Sequence, residues 1–132
     1  MGKSIYLSNA FLGLALGAAA WTPPPTVYLG LFLTPETATG GGTEVSGGSY
    51  ARIAIPNNGA NFSAPTAGTV TNLTLIAFAG ASASWGTIPY AATFDALTGG
   101  NLLYFGSLAT PKPVTIGDVF TVPPGGLVFS EL

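Results

Sequence analysis

Apolar positions recur along this chain at two different periods. Between Ile5 and Trp21 the spacing is helical: Leu7, Phe11, Leu14, Ala18 and Trp21 share one face, while Ile5, Leu12, Leu16 and Ala19 share another. Ser4 stands at the N-cap position and Pro23, Pro24 and Pro25 follow, so the pattern predicts a helix from Ser4 to about Ala20. A helix that is apolar nearly all round requires cover on several sides. One small domain covers only one of them, and the other is expected to pack on a partner chain, with Gly13 and Gly17 allowing a second helix to come close.

Beyond the prolines the period changes to two. Val27, Leu29, Leu31 and Leu33 alternate with Tyr28, Gly30 and Phe32, and both sets are apolar. That is the signature of a strand with cover above and below, and the rest of the chain is organised around it. Pro35 to Ser49 is glycine-rich and reads as a flexible surface loop, with Glu36 and Glu44 in water and neighbours within reach. From Tyr50 onward short apolar runs alternate with turn clusters. The expected strands are Tyr50 to Ile55, Asn61 to Ala64, Thr69 to Phe78, Trp85 to Phe94, Asn101 to Ser107, and a meander from Val114 to Glu131. Trp85 to Ser107 is the strongest hairpin, with Ile88, Tyr90, Ala92 and Phe94 on one side. The fold class expected is mainly β: an antiparallel β-sandwich or jelly-roll-like single domain with one N-terminal α-helix. Residues 1–22 form the helix and polyproline kink, and residues 23–132 form the sandwich, as one structural unit.

Composition sharpens this picture. Of 132 residues only three are Lys or Arg and five Asp or Glu, so 6% are charged where about 25% is usual. Such a sparsely charged surface is poorly protected against association. A net charge of −2 with scattered cations offers no basic stripe, which excludes binding to nucleic acid through phosphates. Met1 to Trp21 has the lysine, apolar run and alanines of a secretory signal, but Ser8 and Asn9 break the run early. Its continuous apolar part, about twelve residues, is short of the roughly twenty that a membrane span needs.

Chemistry finds little purchase. Without histidine or cysteine there is no common general base and no thiolate metal site. No serine stands in an elbow or SxxK arrangement. Asp95 and Asp118 sit in turns, and no loop gathers the oxygens that calcium wants. Gly40 to Gly42 is followed by no lysine, so it is not a phosphate cradle. No catalytic, cofactor-binding or metal-ligating residue is assigned. Trp85, Tyr90, Phe94, Tyr104 and Phe105 could form a sugar platform, but their alternation favours core filling. Trp21, at the helix end, reads as an interface anchor.

Several segments taken together carry a family likeness: YLGLF from Tyr28, GTEVSGGSYAR from Gly42, WGTI from Trp85, FDALTGGNLLYFGSL from Phe94 and GDVFTVPPGGLVF from Gly117. With the initial YLSNAFLGLAL helix, the chain resembles a family of small virion proteins of tailed bacteriophages, labelled tail fibre or capsid-associated proteins. The resemblance implies a non-enzymatic particle component, located in the virion and assembled in the bacterial cytoplasm. The expectation is a capsid decoration or cement protein that stabilises the assembled shell. A tail-fibre or tail-tip module is the alternative, and a secreted carbohydrate-binding domain a third. Partners would be identical subunits, as a homotrimer, and the major capsid protein. The expected contact residues are Leu7, Phe11, Leu12, Leu16, Trp21, Glu36, Glu44 and Tyr50.

Overall fold

A strand with two apolar faces has to lie inside a sheet, and the computed structural model, which describes residues 1–131, places it there. In chain order the elements are β1 (Gly2–Lys3), α1 (Ile5–Ala15), β2 (Thr26–Phe32), β3 (Ile53–Pro56), β4 (Thr69–Thr71), β5 (Ile76–Ala77), β6 (Gly86–Phe94), β7 (Leu102–Val114), β8 (Thr121–Val122) and β9 (Val128–Ser130). Five of them form one antiparallel sheet in the order β1-β7-β6-β2-β3, and the ladders β4-β9 and β5-β8 form a second layer. Leu29, Leu31, Ile88, Ala91 and Val114 on the sheet pack with Ile76, Phe78, Phe120, Leu127 and Phe129 from the ladder side. On the opposite face Phe32, Ala92 and Phe94 form a smaller cluster with Tyr90, Leu102 and Phe105. The mainly β, antiparallel, single-domain fold with one N-terminal helix is therefore as the sequence pattern predicts.

The helix starts where expected and ends early. Ser4 Oγ accepts from Leu7 N at 3.0 Å and its hydroxyl donates to the Leu102 carbonyl, so the N-cap also ties the helix to β7. At the other end Leu16 is the C-cap and Gly17 turns left-handed at φ +72°. Ala19 N then bonds back to Gly13 O at 3.3 Å, and a Cβ on Gly13 would stand 3.1 Å from Ala19 Cβ. The two glycines serve the return of their own chain, rather than the approach of a second helix.

Four strand expectations are corrected. Pro89 has no N–H to give the ladder, and the register breaks there: Ile88 pairs with Lys112 but Tyr90 with Ser107, leaving Leu108 to Pro111 bulged. Ile88 consequently faces the ladders, while Tyr90, Ala92 and Phe94 face the other way. Thr69 to Phe78 is two strands separated by a buried Asn72. Its Nδ2 donates to the carbonyls of Thr74 (2.9 Å) and Pro123 (3.0 Å), and its Oδ1 accepts from Leu127 N (2.8 Å). The C-terminal meander does not form, because β8 pairs with β5 and β9 with β4; Asn61 to Ala64 contributes a single bridge, Phe62 to Asn72.

The sheet edges are short or blocked. β1 has two residues, β3 ends at Pro56, and the part of β7 beyond β1 carries Pro111, Lys112 and Pro113.

Asn72→Ala removes three hydrogen bonds from a residue 1% exposed. We expect a loss of about 2–3 kcal/mol, measured as a lower urea midpoint at unchanged slope; an unchanged midpoint would show that the ladders hold without it.

Candidate functional site

Pairing between β2 and β3 stops at Leu29 opposite Ile53. Past that point the neighbour of β2 is the segment after the glycine triplet: Val45 N donates to Leu31 O (3.0 Å), Leu33 N to Thr43 O (2.8 Å), and Phe32 bridges Glu44. Pro35 to Ser49 is thus a tied return rather than a free loop, with Val45 buried in the core and Glu36 accepting from Gly42 N at 2.8 Å. At the gap between the two neighbours, Leu31 N donates to the Tyr50 hydroxyl (2.9 Å), which donates to Glu44 Oε2 (2.6 Å). Arg52 meets the same carboxylate with both arms of its fork, Nε to Oε2 and Nη2 to Oε1 at 2.9 Å each. Its third nitrogen holds the carbonyls of Ala96 (3.0 Å) and Gly99 (2.9 Å), and its guanidinium lies 3.6 Å from the Phe94 ring centroid. Gly30 makes room for the cluster, since a Cβ there would sit 2.8 Å from Glu44 Oε2. Glu44, expected in water, is withdrawn into this ion pair. Tyr50, expected at a contact, has its ring stacked on Phe78 and edge-on to Trp85. Burial first, and then the hydrogen bond to Glu44, push the Tyr50 phenol far above its ordinary pKa.

The remaining charges are also engaged within the chain. Lys3 pairs with Glu131 at 2.6 Å. Lys112 donates to Thr121 O (3.3 Å) and lies 5.1 Å from the Phe120 ring. Asp95 accepts from Asn101 N (2.6 Å) and Nδ2 (2.9 Å), and Asp118 from Thr115 N (2.8 Å) and Oγ1 (3.0 Å). All eight charged side chains thus have a hydrogen-bonding partner within the chain, while Lys112, Asp118 and Glu131 stay exposed at the surface.

Helix α1 and its C-cap carry five of the large apolar side chains left exposed: Ile5, Tyr6, Leu12, Leu14 and Leu16. Leu7, expected at a subunit contact, is 2% exposed and belongs to the chain's own interior. Phe11 is half-buried and meets Trp21 edge-on at 5.8 Å, and Trp21 Nε1 donates to the Tyr6 hydroxyl at 3.1 Å. On the far side of the helix Ile5, Leu12 and Leu16 form a stripe, 51%, 58% and 78% exposed. Behind the helix, between it, Pro23-Pro24 and the β4-β9 ladder, lies an open cleft of about 320 Å³. Its walls include Phe11, Trp21, Phe62, Tyr104 and Phe129, with Asn57 at the polar side, and no charged residue lines it. No sequence signal pointed to this cleft, because its walls come from segments far apart in the chain. The sugar platform does not form: Trp85 and Phe94 are buried and belong to opposite faces of the sheet. Among the described residues no group of three His, Cys, Asp or Glu could hold a metal, and no helix is long and apolar enough to cross a membrane.

These features define a small β-rich protein with a sparsely charged exterior. A family model described as podophage GP4 fiber I protein gp80 matches residues 2–130. The chain belongs to this Gp80 family and is a bacteriophage virion structural protein. No curated protein matches it in sequence.

Two outcomes test the Tyr50 cluster. Arg52→Ala strands the Glu44 carboxylate and frees the Ala96 to Gly99 turn. Because Glu44 keeps 25% of its side chain exposed, the expected loss is near the lower end of the buried-pair range, about 3 kcal/mol by chemical denaturation. Since the folded state raises the Tyr50 pKa, the folded chain holds that proton more tightly than the unfolded chain. The resulting stability is complete below about pH 10 and drains away as pH rises beyond it. Tyr50→Phe should flatten that alkaline decline only in part, because burial and Glu131 raise the Tyr104 phenol too; an identical decline in the variant would exclude the role given to Tyr50.

Proposed function

We propose that this chain is a structural subunit of a podophage virion fibre and that it assembles with identical copies through the outer stripe of α1. The observation that carries the reading is the stripe itself: Ile5, Leu12 and Leu16, each at least half exposed on a sparsely charged domain. The family's fibre description favours this place on the particle over the shell decoration expected from the sequence.

The mechanism is physical. Full burial of one exposed Leu or Ile contributes about 1.5–3 kcal/mol, and because the three side chains are already partly covered the stripe supplies roughly 3–6 kcal/mol. Association costs about 4–15 kcal/mol in lost freedom. One stripe by itself therefore gives a weak contact, and a firm assembly needs the contact repeated, as a fibre or a closed ring repeats it. The homotrimer expected from the sequence is one such closed form.

Leu12→Asp combined with Leu16→Asp places two carboxylates on the stripe without touching the buried Leu7 side. Sedimentation of the purified protein should show an oligomer for the native chain and 13.2 kDa monomers for the variant; equal sedimentation of the two would refute the contact. Antibody labelling of whole virions under the electron microscope should mark fibres, whereas label spread over the head would restore the decoration reading.

A further inference from the structure

The turn that follows β3 carries chemistry that the assembly of subunits does not use. Of the six asparagines in the chain, only Asn58 precedes a glycine. Both residues are exposed, and a Cβ built on Gly59 would meet nothing within 4 Å, so water reaches the peptide bond between them. Glycine also lacks the side chain that would crowd its own amide nitrogen. Among the described residues that nitrogen donates to no acceptor, and neither does Asn58 Nδ2. Asn58 Oδ1 is held instead: it accepts from Ala60 N and from Asn61 Nδ2, each at 3.0 Å. Two donors at that distance are the arrangement that stabilises an oxygen as it gains charge. The turn therefore offers a free nitrogen, a polarised carbonyl and an untethered leaving group on adjacent residues.

We propose that Asn58 is a site of covalent self-modification, at which the Gly59 nitrogen attacks the Asn58 side-chain carbonyl while Ala60 N and Asn61 Nδ2 receive the developing charge. Hydroxide takes the Gly59 N–H proton. The nitrogen bonds to Asn58 Cγ and the carbonyl pair moves onto Oδ1, between its two donors. As that pair returns, the Cγ–Nδ2 bond breaks, and the nitrogen takes a proton from water and leaves as ammonia. A cyclic imide remains. Water opens it at Cγ to give aspartate, or at the backbone carbonyl to give isoaspartate. The whole sequence consumes a water, releases ammonia and needs no oxidant or reductant. Either product adds one negative charge to a chain of net charge −2. Aspartate keeps the acceptor for Ala60 N. Isoaspartate reroutes the backbone through the side chain and displaces the Asn58 carbonyl, which accepts from Asn61 N at 3.2 Å and Phe62 N at 3.1 Å.

The full native chain, incubated at mildly alkaline pH, is read by peptide mass spectrometry and by methyl labelling with an isoaspartyl methyltransferase. The expected result is a peptide around residue 58 heavier by the exchange of NH for O, with isoaspartate there ahead of every other asparagine. Gly59→Ala should lose most of the label, and it should fold, because Gly59 is not left-handed and has open space around it. Asn61→Ala removes one donor to Oδ1 but keeps the backbone bonds of Asn61 to Asn58 O and from Leu73 N, so it should gain label several-fold more slowly. Asn61→Asp, which retains an acceptor for the Thr74 hydroxyl and lacks the donor, is the second variant, and circular dichroism checks the fold of each. A native chain free of isoaspartate at residue 58, or folded Asn61 variants labelled at the native rate, would overturn the proposal.

Discussion

The Leu31 amide is the point on which this fold turns. Strand β3 leaves β2 two residues earlier, and a buried N–H without an acceptor costs about 1–3 kcal/mol. The Tyr50 hydroxyl fills the vacancy at 2.9 Å, and everything about its placement follows from that: Glu44 accepts the phenol proton, Arg52 neutralises Glu44, and the free arm of Arg52 clamps the Ala96 to Gly99 turn. One cluster thereby joins the glycine-rich return, the β3 entry and the tip of the β6-β7 hairpin. Ion pairs of this kind contribute little net stability compared with an apolar replacement. What this one supplies is position: it decides which segment lies beside β2 after the sheet changes partner.

The same economy governs the other charges. Eight ionised groups in 132 residues would ordinarily be scattered over a surface for solubility. Here each is tied to a backbone or side-chain partner, and the N-terminal and C-terminal segments meet through Lys3 and Glu131. Burial alone would raise the Glu131 carboxyl, but the Lys3 and Tyr104 hydrogen bonds and the neighbouring positive charges carry it below the usual range. Membership in a virion structural family gives this sparse charge a setting.

Much of this was legible in the residues. The Ser4 cap, the doubly covered β2, the β6-β7 hairpin and the outward stripe opposite Leu7 all follow from local period and capping chemistry. What escaped notice depends on pairs far apart in the chain. Arg52 carries no local signal, because its partners lie at Glu44, Ala96 and Gly99. Asn72 carries no local signal within the expected Thr69 to Phe78 strand, yet it is the buried joint between β4, the Thr74 turn and Leu127. The break at Pro89 inverted an alternation that seemed regular, and Gly17 ended a helix that the apolar period alone would have carried to Ala20.

The blocked rims of the sheet set a rule for growth. A polymer extended by backbone ladders would need a free strand, and the ends of this sheet offer two residues at β1, a proline at the end of β3 and a Pro-Lys-Pro run on β7. The self-association proposed above therefore relies on side-chain packing rather than on strand pairing. Joints of packed side chains exchange more readily than cross-β joints made between exposed strands.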